Sequence, residues 1–198
     1  MNLQKLLKFV KITAEFRDVE RRVVLMKAKR NENDAEHSYQ LAMTAWYIIN
    51  SEKLDLNSDL VIKYALIHDL VEVYAGDTPI EGDIEWRKSK VAREKAAEVR
   101  LNKELPEFPD LTHLLHTYEE RKDEESKFVY ALDKIMPMLQ VYLEGGYSWR
   151  VNKLTLQNII DHKADKITLS PIVQKYYDEL IGILRREEKD IFEGPIDK

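Results

Sequence analysis

ALIHDLVEVYAGDTP, residues Ala65 to Pro79, is the stretch on which the reading of this chain turns. From Leu60 to Tyr74 only Lys63, His68, Asp69 and Glu72 interrupt a run of apolar residues. A helix that is apolar on nearly every side is normally buried. Carboxylates in such a helix are costly unless a partner compensates them. On a helix turning about 100° per residue, Glu72 lies about 40° from His68, and Asp69 about 100° from it. The three side chains can then share one cavity, and other elements must complete any ligand set.

Scarce glycine (6) and proline (6) favour long helices over a strand-and-turn architecture. A first amphipathic helix is expected at about residues 2–15, followed by an irregular basic stretch, RDVERRVVLMKAKRNEN. A second helix, capped by Asp34, runs to about Asn50. A third begins near Asn57 and stops at Gly76. After the GDTPIEGD loop, EWRKSKVAREKAAEVRLNKEL reads as a charged, largely exposed helix. PDLTHLLHTYEERKD and DEESKFVYALDKIMPMLQVYLE follow, with Pro137 expected to kink or divide the latter. TLQNIIDHKADK and a last helix opened by Ser170 and Pro171 complete a single all-α domain over residues 1–198.

Two further polar residues sit in apolar helices. His37 lies in the first turn of AEHSYQLAMTAW, and Asp133 interrupts FVYALDKIMPML. With His68 and Asp69 they make two imidazoles and two carboxylates, a set suited to Mn, Co, Ni, Fe or Zn more than to a calcium cage. Spacing alone leaves two readings: ligands of one divalent ion, or hydrogen-bonded polar residues of the core, with Asp133 paired to Lys134. His113, His116 and His162 show no ligand pattern. Trp46, Tyr47, Tyr130 and Tyr142 occupy helical apolar positions and read as core or interface.

Composition narrows the function. The 31 basic and 36 acidic residues give a net charge of −5, against a general nucleic-acid binder. The chain has no cysteine, so thiolate zinc sites and thiol nucleophiles are excluded. The N-terminal sequence is too charged for a signal peptide, and no apolar run approaches the roughly 20 residues that span a bilayer. A cytoplasmic protein without membrane or nucleic-acid partners is expected.

The assembled residues resemble the HD-domain metal-dependent phosphohydrolases, whose signature is H…HD…D. RRVVLMKAKRNENDAEHSYQLAM, ALIHDLVEVYAGDTP and KFVYALDKIMPML are similar, in order, to the three blocks of the 5′-deoxynucleotidase branch. YEERKDEESKF resembles its acidic segment before the last metal aspartate. The motif-bearing part is about residues 15–145, with C-terminal helices at 150–190 packing on it. The resemblance implies an HD-domain helical bundle in which His37, His68, Asp69 and Asp133 hold one divalent metal. It implies Glu72 as the catalytic carboxylate, Asp77 as a contact near the sugar, and Arg22 as a contact to the nucleotide phosphate. It also implies a homodimer, for which the apolar positions of the last helix offer an interface. One departure stands out: bacterial members often carry tryptophan after that arginine, where this chain has Val23, so strict deoxyribose selection is not carried over.

The implied reaction releases phosphate from 2′-deoxynucleoside 5′-monophosphates. Four protein ligands on an octahedral ion (Mg included) leave positions for water and a phosphate oxygen. Two other readings remain open: an HD-type phosphodiesterase or nucleoside triphosphate hydrolase, and a metal-stabilised regulatory or binding protein without turnover.

Overall fold

The computed structural model describes residues 2–78 and 83–195, so residues 79–82 of the expected GDTPIEGD loop lie outside the described residues. Packing divides the chain into two compact units, Met1–Arg21 with Asn33–Ser126, and Arg22–Glu32 with Lys127–Lys198.

In the first unit, α1 (Leu3–Glu15) leads through a 3₁₀ turn, Phe16–Asp18, towards α2 (Asp34–Glu52) and α3 (Ser58–Ile67). Then come α4 (Glu72–Ala75), α5 (Ile84–Lys88), α6 (Lys90–Glu104) and α7 (Pro109–Glu120). Ile12, Phe16, Leu70, Leu101, Leu105, Leu111 and Leu115 form a core between α1, α6, α7 and the segment after α3. Burying each such leucine contributes about 1.5–3 kcal/mol before entropy is counted.

The helix expected over EWRKSKVAREKAAEVRLNKEL is divided at Ser89 into α5 and α6, and two other helix boundaries differ from expectation, each for a local reason. Asn33, not Asp34, caps α2. Its side chain accepts from the Glu36 N–H at 3.0 Å, and the Glu36 carboxylate accepts the Asn33 N–H at 3.2 Å. Asp34 is thereby released for another use. The expected continuous helix from Asn57 to Gly76 is interrupted after Ile67. There Leu70 N–H bonds to Ile67 O at 2.9 Å and Glu72 N–H to Asp69 O at 2.8 Å, a tightened turn of i→i−3 bonds.

The stretch expected to be irregular forms a hairpin, β1 (Glu20–Leu25) paired with β2 (Arg30–Asn33). Its turn contains no glycine or proline; Lys29 takes the left-handed conformation at φ 55°, so the residues that usually mark a hairpin turn are missing from the sequence. The all-α class holds apart from these two strands.

α8 (Glu124–Leu143) continues unbroken through Pro137. A proline at 137 has no N–H for the carbonyl four residues back, so the helix lacks one rung at Asp133. The second unit goes on with α9 (Tyr147–Val151), α10 (Leu156–Ile167), α11 (Pro171–Arg186) and α12 (Glu188–Phe192). Gly146 stands at φ 77°, where an added Cβ would come within 2.3 Å of the Ile191 carbonyl oxygen. The Val24 N–H donates to Ser148 Oγ at 2.9 Å, tying the hairpin to α9. On α11, Val173, Tyr177, Leu180, Ile181 and Leu184 are buried by the chain itself. The apolar stripe expected to serve as a dimer interface is therefore already covered. No helix of the described residues is long and apolar enough to cross a membrane.

Candidate metal centre

Two segments of the first unit bring the polar residues together. α2 presents Asp34 and His37, which share a face at i,i+3. The tight turn after α3 presents His68, Asp69 and Glu72. In such a turn residues three apart eclipse, so Asp69 and Glu72 line up, whereas a continuous helix would have set Glu72 nearest His68. His37, His68 and Asp69 each offer a ligand atom within 4.8 Å of the others. The same spacing joins Asp34, Asp69 and Glu72. The His37 and His68 rings are 5.3 Å apart, and both are buried.

Hydrogen bonding fixes how His68 is presented. Its Nδ1 lies 2.9 Å from the Ala65 carbonyl, which can only accept, so Nδ1 carries the proton. In the neutral ring Nε2 is then a lone pair, and it faces Asp69 Oδ2 at 3.0 Å. Two acceptors at that distance require a cation or proton between them. Together with the buried His37 imidazole, this donor set fits a divalent ion, with the backbone carbonyl orienting the ligand.

Arg21 is part of the site although the sequence reading passed it over. Its Nη1 donates to Asp34 Oδ1 and Asp69 Oδ2, each at 3.0 Å. Arg22, the arginine that the resemblance selects, is exposed, as alternation along β1 requires of the next residue. Val23 is buried.

Burial first, and then the charge of Asp69, pushes the Asp34 carboxyl up to about 7, although Arg21 works against the rise. Glu72 is raised well above the usual carboxylate range, mainly by burial and then by Asp69, Asp34 and Asp77; Lys90 opposes this from 3.8 Å. Among the described residues, Glu72 Oε2 has no hydrogen-bond partner. Asp77 is raised by burial, an effect that Arg21 moderates. Burial alone would lower the Lys90 ammonium, but Glu72, Glu94 and Asp69 outweigh it and hold it protonated. Lys90 went unnoticed because α6 reads as a solvated helix; its spacing of three from Arg93 and four from Glu94 was the available signal.

Asp133 belongs to the second unit. It is buried on α8 and its carboxylate pairs with Lys134. In the same unit His162 is held down at about 4, by burial and then by Lys166, Lys163 and Lys134.

The profile of the HD domain family matches residues 13–173. The chain is a member of the HD domain family. With that membership comes a divalent metal site, and the His and Asp residues above are suited to it. This HD protein is 31% identical over 173 residues to the 5′-deoxynucleotidase HDDC2 of Mus musculus, covering 85% of this chain and 83% of the relative. It is 32% identical over 151 residues to a 5′-deoxynucleotidase of Yersinia pseudotuberculosis, covering 69% and 75%. Among solved structures, a predicted metal-dependent phosphohydrolase from Magnetospirillum magnetotacticum superposes with a TM-score of 0.80 at 28% identity, over 94% of each chain.

Proposed function

We propose that this HD protein is a metal-dependent phosphoric monoester hydrolase, a 5′-deoxynucleotidase that releases phosphate from 2′-deoxynucleoside 5′-monophosphates. The observation that carries the reading is the convergence of His37, His68 and Asp69 with Glu72 aligned one tight turn after Asp69. The relatives named 5′-deoxynucleotidase support the choice of substrate. The chain acts as one HD-domain hydrolase, with Asp133 as the fourth ligand, a role supported by its burial on an apolar helix and by the H…HD…D signature.

When bound, the divalent cation neutralises phosphoryl oxygens and lowers the pKa of water towards neutrality. The chain's own residues do the rest. His37, His68, Asp69 and Asp133 would hold the ion. Glu72 orients the attacking water and takes its proton as the new P–O bond forms and the bond to the sugar 5′-oxygen breaks. That proton then passes to the leaving oxygen. Burial raises this carboxyl, which favours its holding the proton between the two transfers. Arg21 holds Asp69 and Asp34 in place, Arg22 offers its planar fork to the phosphate, and Asp77 accepts a hydrogen bond from the sugar.

The protein is further proposed to be cytoplasmic and homodimeric. Tyr39, Met43, Trp46 and Tyr47 leave one face of α2 apolar and exposed, a surface suited to a second copy.

The test is phosphate and nucleoside release from dAMP, AMP, dATP, cyclic AMP and a generic diester, with Mn, Co, Ni, Mg or Zn and after chelation. Phosphate from dAMP that is lost on chelation is the expected result. Pyrophosphate or tripolyphosphate from dATP, or cleavage of a diester alone, moves the protein to the phosphodiesterase or triphosphohydrolase class. No product with any metal leaves a regulatory or binding protein.

A further inference from the structure

Apart from Lys90, which faces Glu72, the α5–α6 segment has no part in the reaction above, and its sequence reads as solvated. Arg93 instead turns towards the residues that follow α4. Its Nη1 donates to the carbonyls of Ala75 and Gly76, the latter at 3.3 Å. Its Nη2 donates to Thr78 Oγ1 at 2.6 Å and to the Trp86 carbonyl at 3.2 Å, and its Nε to Ser89 Oγ at 3.0 Å. The guanidinium carbon lies 3.4 Å from the centroid of the Trp86 ring. The indole N–H of Trp86 in turn donates to the Asp77 carbonyl at 3.2 Å.

Asp77 is thus bracketed. The backbone before it and the side chain after it are held by Arg93, and its own carbonyl is held by Trp86. Between α4 and Asp77 the chain passes through Gly76 at φ 72°, a conformation that glycine adopts without a Cβ penalty. Beyond that point the chain has left the helix; the Asp77 carboxylate accepts from the Thr78 backbone, and the Arg93 and Trp86 contacts hold the backbone and the Thr78 side chain on which that arrangement rests. The geometry suits arginine in particular. A planar fork with five donors reaches several acceptors while stacking on indole, which a single ammonium cannot do.

We propose that Arg93, stacked on Trp86, is a positioning residue that fixes Asp77 in the orientation from which it accepts the substrate's sugar hydroxyl. This rests on the role given to Asp77 above.

The metal-loaded full-length protein is assayed with dAMP and with 2′,3′-dideoxyadenosine 5′-monophosphate, which lacks the sugar hydroxyl. The variants are Asp77→Asn, Arg93→Lys, Arg93→Ala and Trp86→Phe. Asp77→Asn is expected to abolish the preference for dAMP. Arg93→Lys is expected to reduce the preference by about 10- to 100-fold, the size of effect that follows from misplacing a contact by about an ångström. The loss falls mainly on KM for dAMP. Trp86→Phe, which keeps the ring and loses the indole donor, falls between. If Asp77→Asn abolishes the preference and Arg93→Lys keeps it, the role of Arg93 is overturned and that of Asp77 stands. An equal loss on both substrates in Arg93→Lys marks a merely structural contact and also overturns the proposal. If Asp77→Asn leaves the preference unchanged, the reading of Asp77 itself fails. Should Arg93→Ala not fold, Arg93→Lys decides the matter.

Discussion

Helices α6 and α11 are similar in length, at 15 and 16 residues, and both carry many charged residues. They spend their charges differently. On α11 the apolar stripe from Val173 to Leu184 is buried, while Lys175, Asp178, Glu179, Arg185 and Arg186 stay in solvent. On α6 the inward face changes character along its length. Lys90, Arg93 and Glu94 occupy it near the start, and Ala97 and Leu101 continue it into the core. Lys90 turns towards the Glu72 carboxylate and Arg93 towards residues 76–78, while Glu94 pairs with Lys90. A charged helix is solvated only if no polar neighbour asks for the charge, and here the site asks.

The largest expected effect lies where α6 meets the site. Glu72→Gln should cut dAMP turnover by about 10²- to 10⁴-fold while metal content, read by elemental analysis, stays at the wild-type level. Unchanged turnover would remove Glu72 from the chemistry. A smaller effect separates packing from function. Leu180→Ala on α11 and Leu101→Ala on α6 should each lower unfolding stability by about 2–5 kcal/mol, measured by urea denaturation. Neither should change turnover per folded molecule; a Leu101→Ala protein with normal stability would break the assignment of that face of α6 to the core.

The smallest effect concerns acid. His162 takes a proton near 6.5 when unfolded but only near 4 when folded. The unfolded chain therefore binds more protons between these values. The contribution of this group is complete above about 6.5 and is lost as pH falls towards 4. His162→Gln should flatten that part of the stability–pH curve, and an identical curve would count against the low value.

Most helices, and the isolated polar residues His37, His68, Asp69 and Asp133 within them, were legible because apolar periodicity and its interruptions both leave marks in the sequence. The hairpin was not, since its turn rests on Lys29 in place of glycine. The turn at His68–Val71 was not either: Leu70 and Val71 are good helix or strand formers, and only tertiary packing makes the chain tighten there. Asp34 reads as a helix cap, a place that Asn33 takes, whereas Arg21, Lys90 and Arg93 escaped for a shared reason. Each looks like surface charge until the carboxylates and carbonyls it meets, brought from distant parts of the chain, are in view.

The hydrogen bond from Val24 to Ser148 spans 124 residues of sequence. A ribosome adding about 5–20 residues per second makes the first partner roughly 6 to 25 seconds before the second. During synthesis the strand pair therefore waits, half assembled, for α9 to emerge. Slowing translation between the two lengthens the period in which those strand edges are open to pairing with other nascent chains.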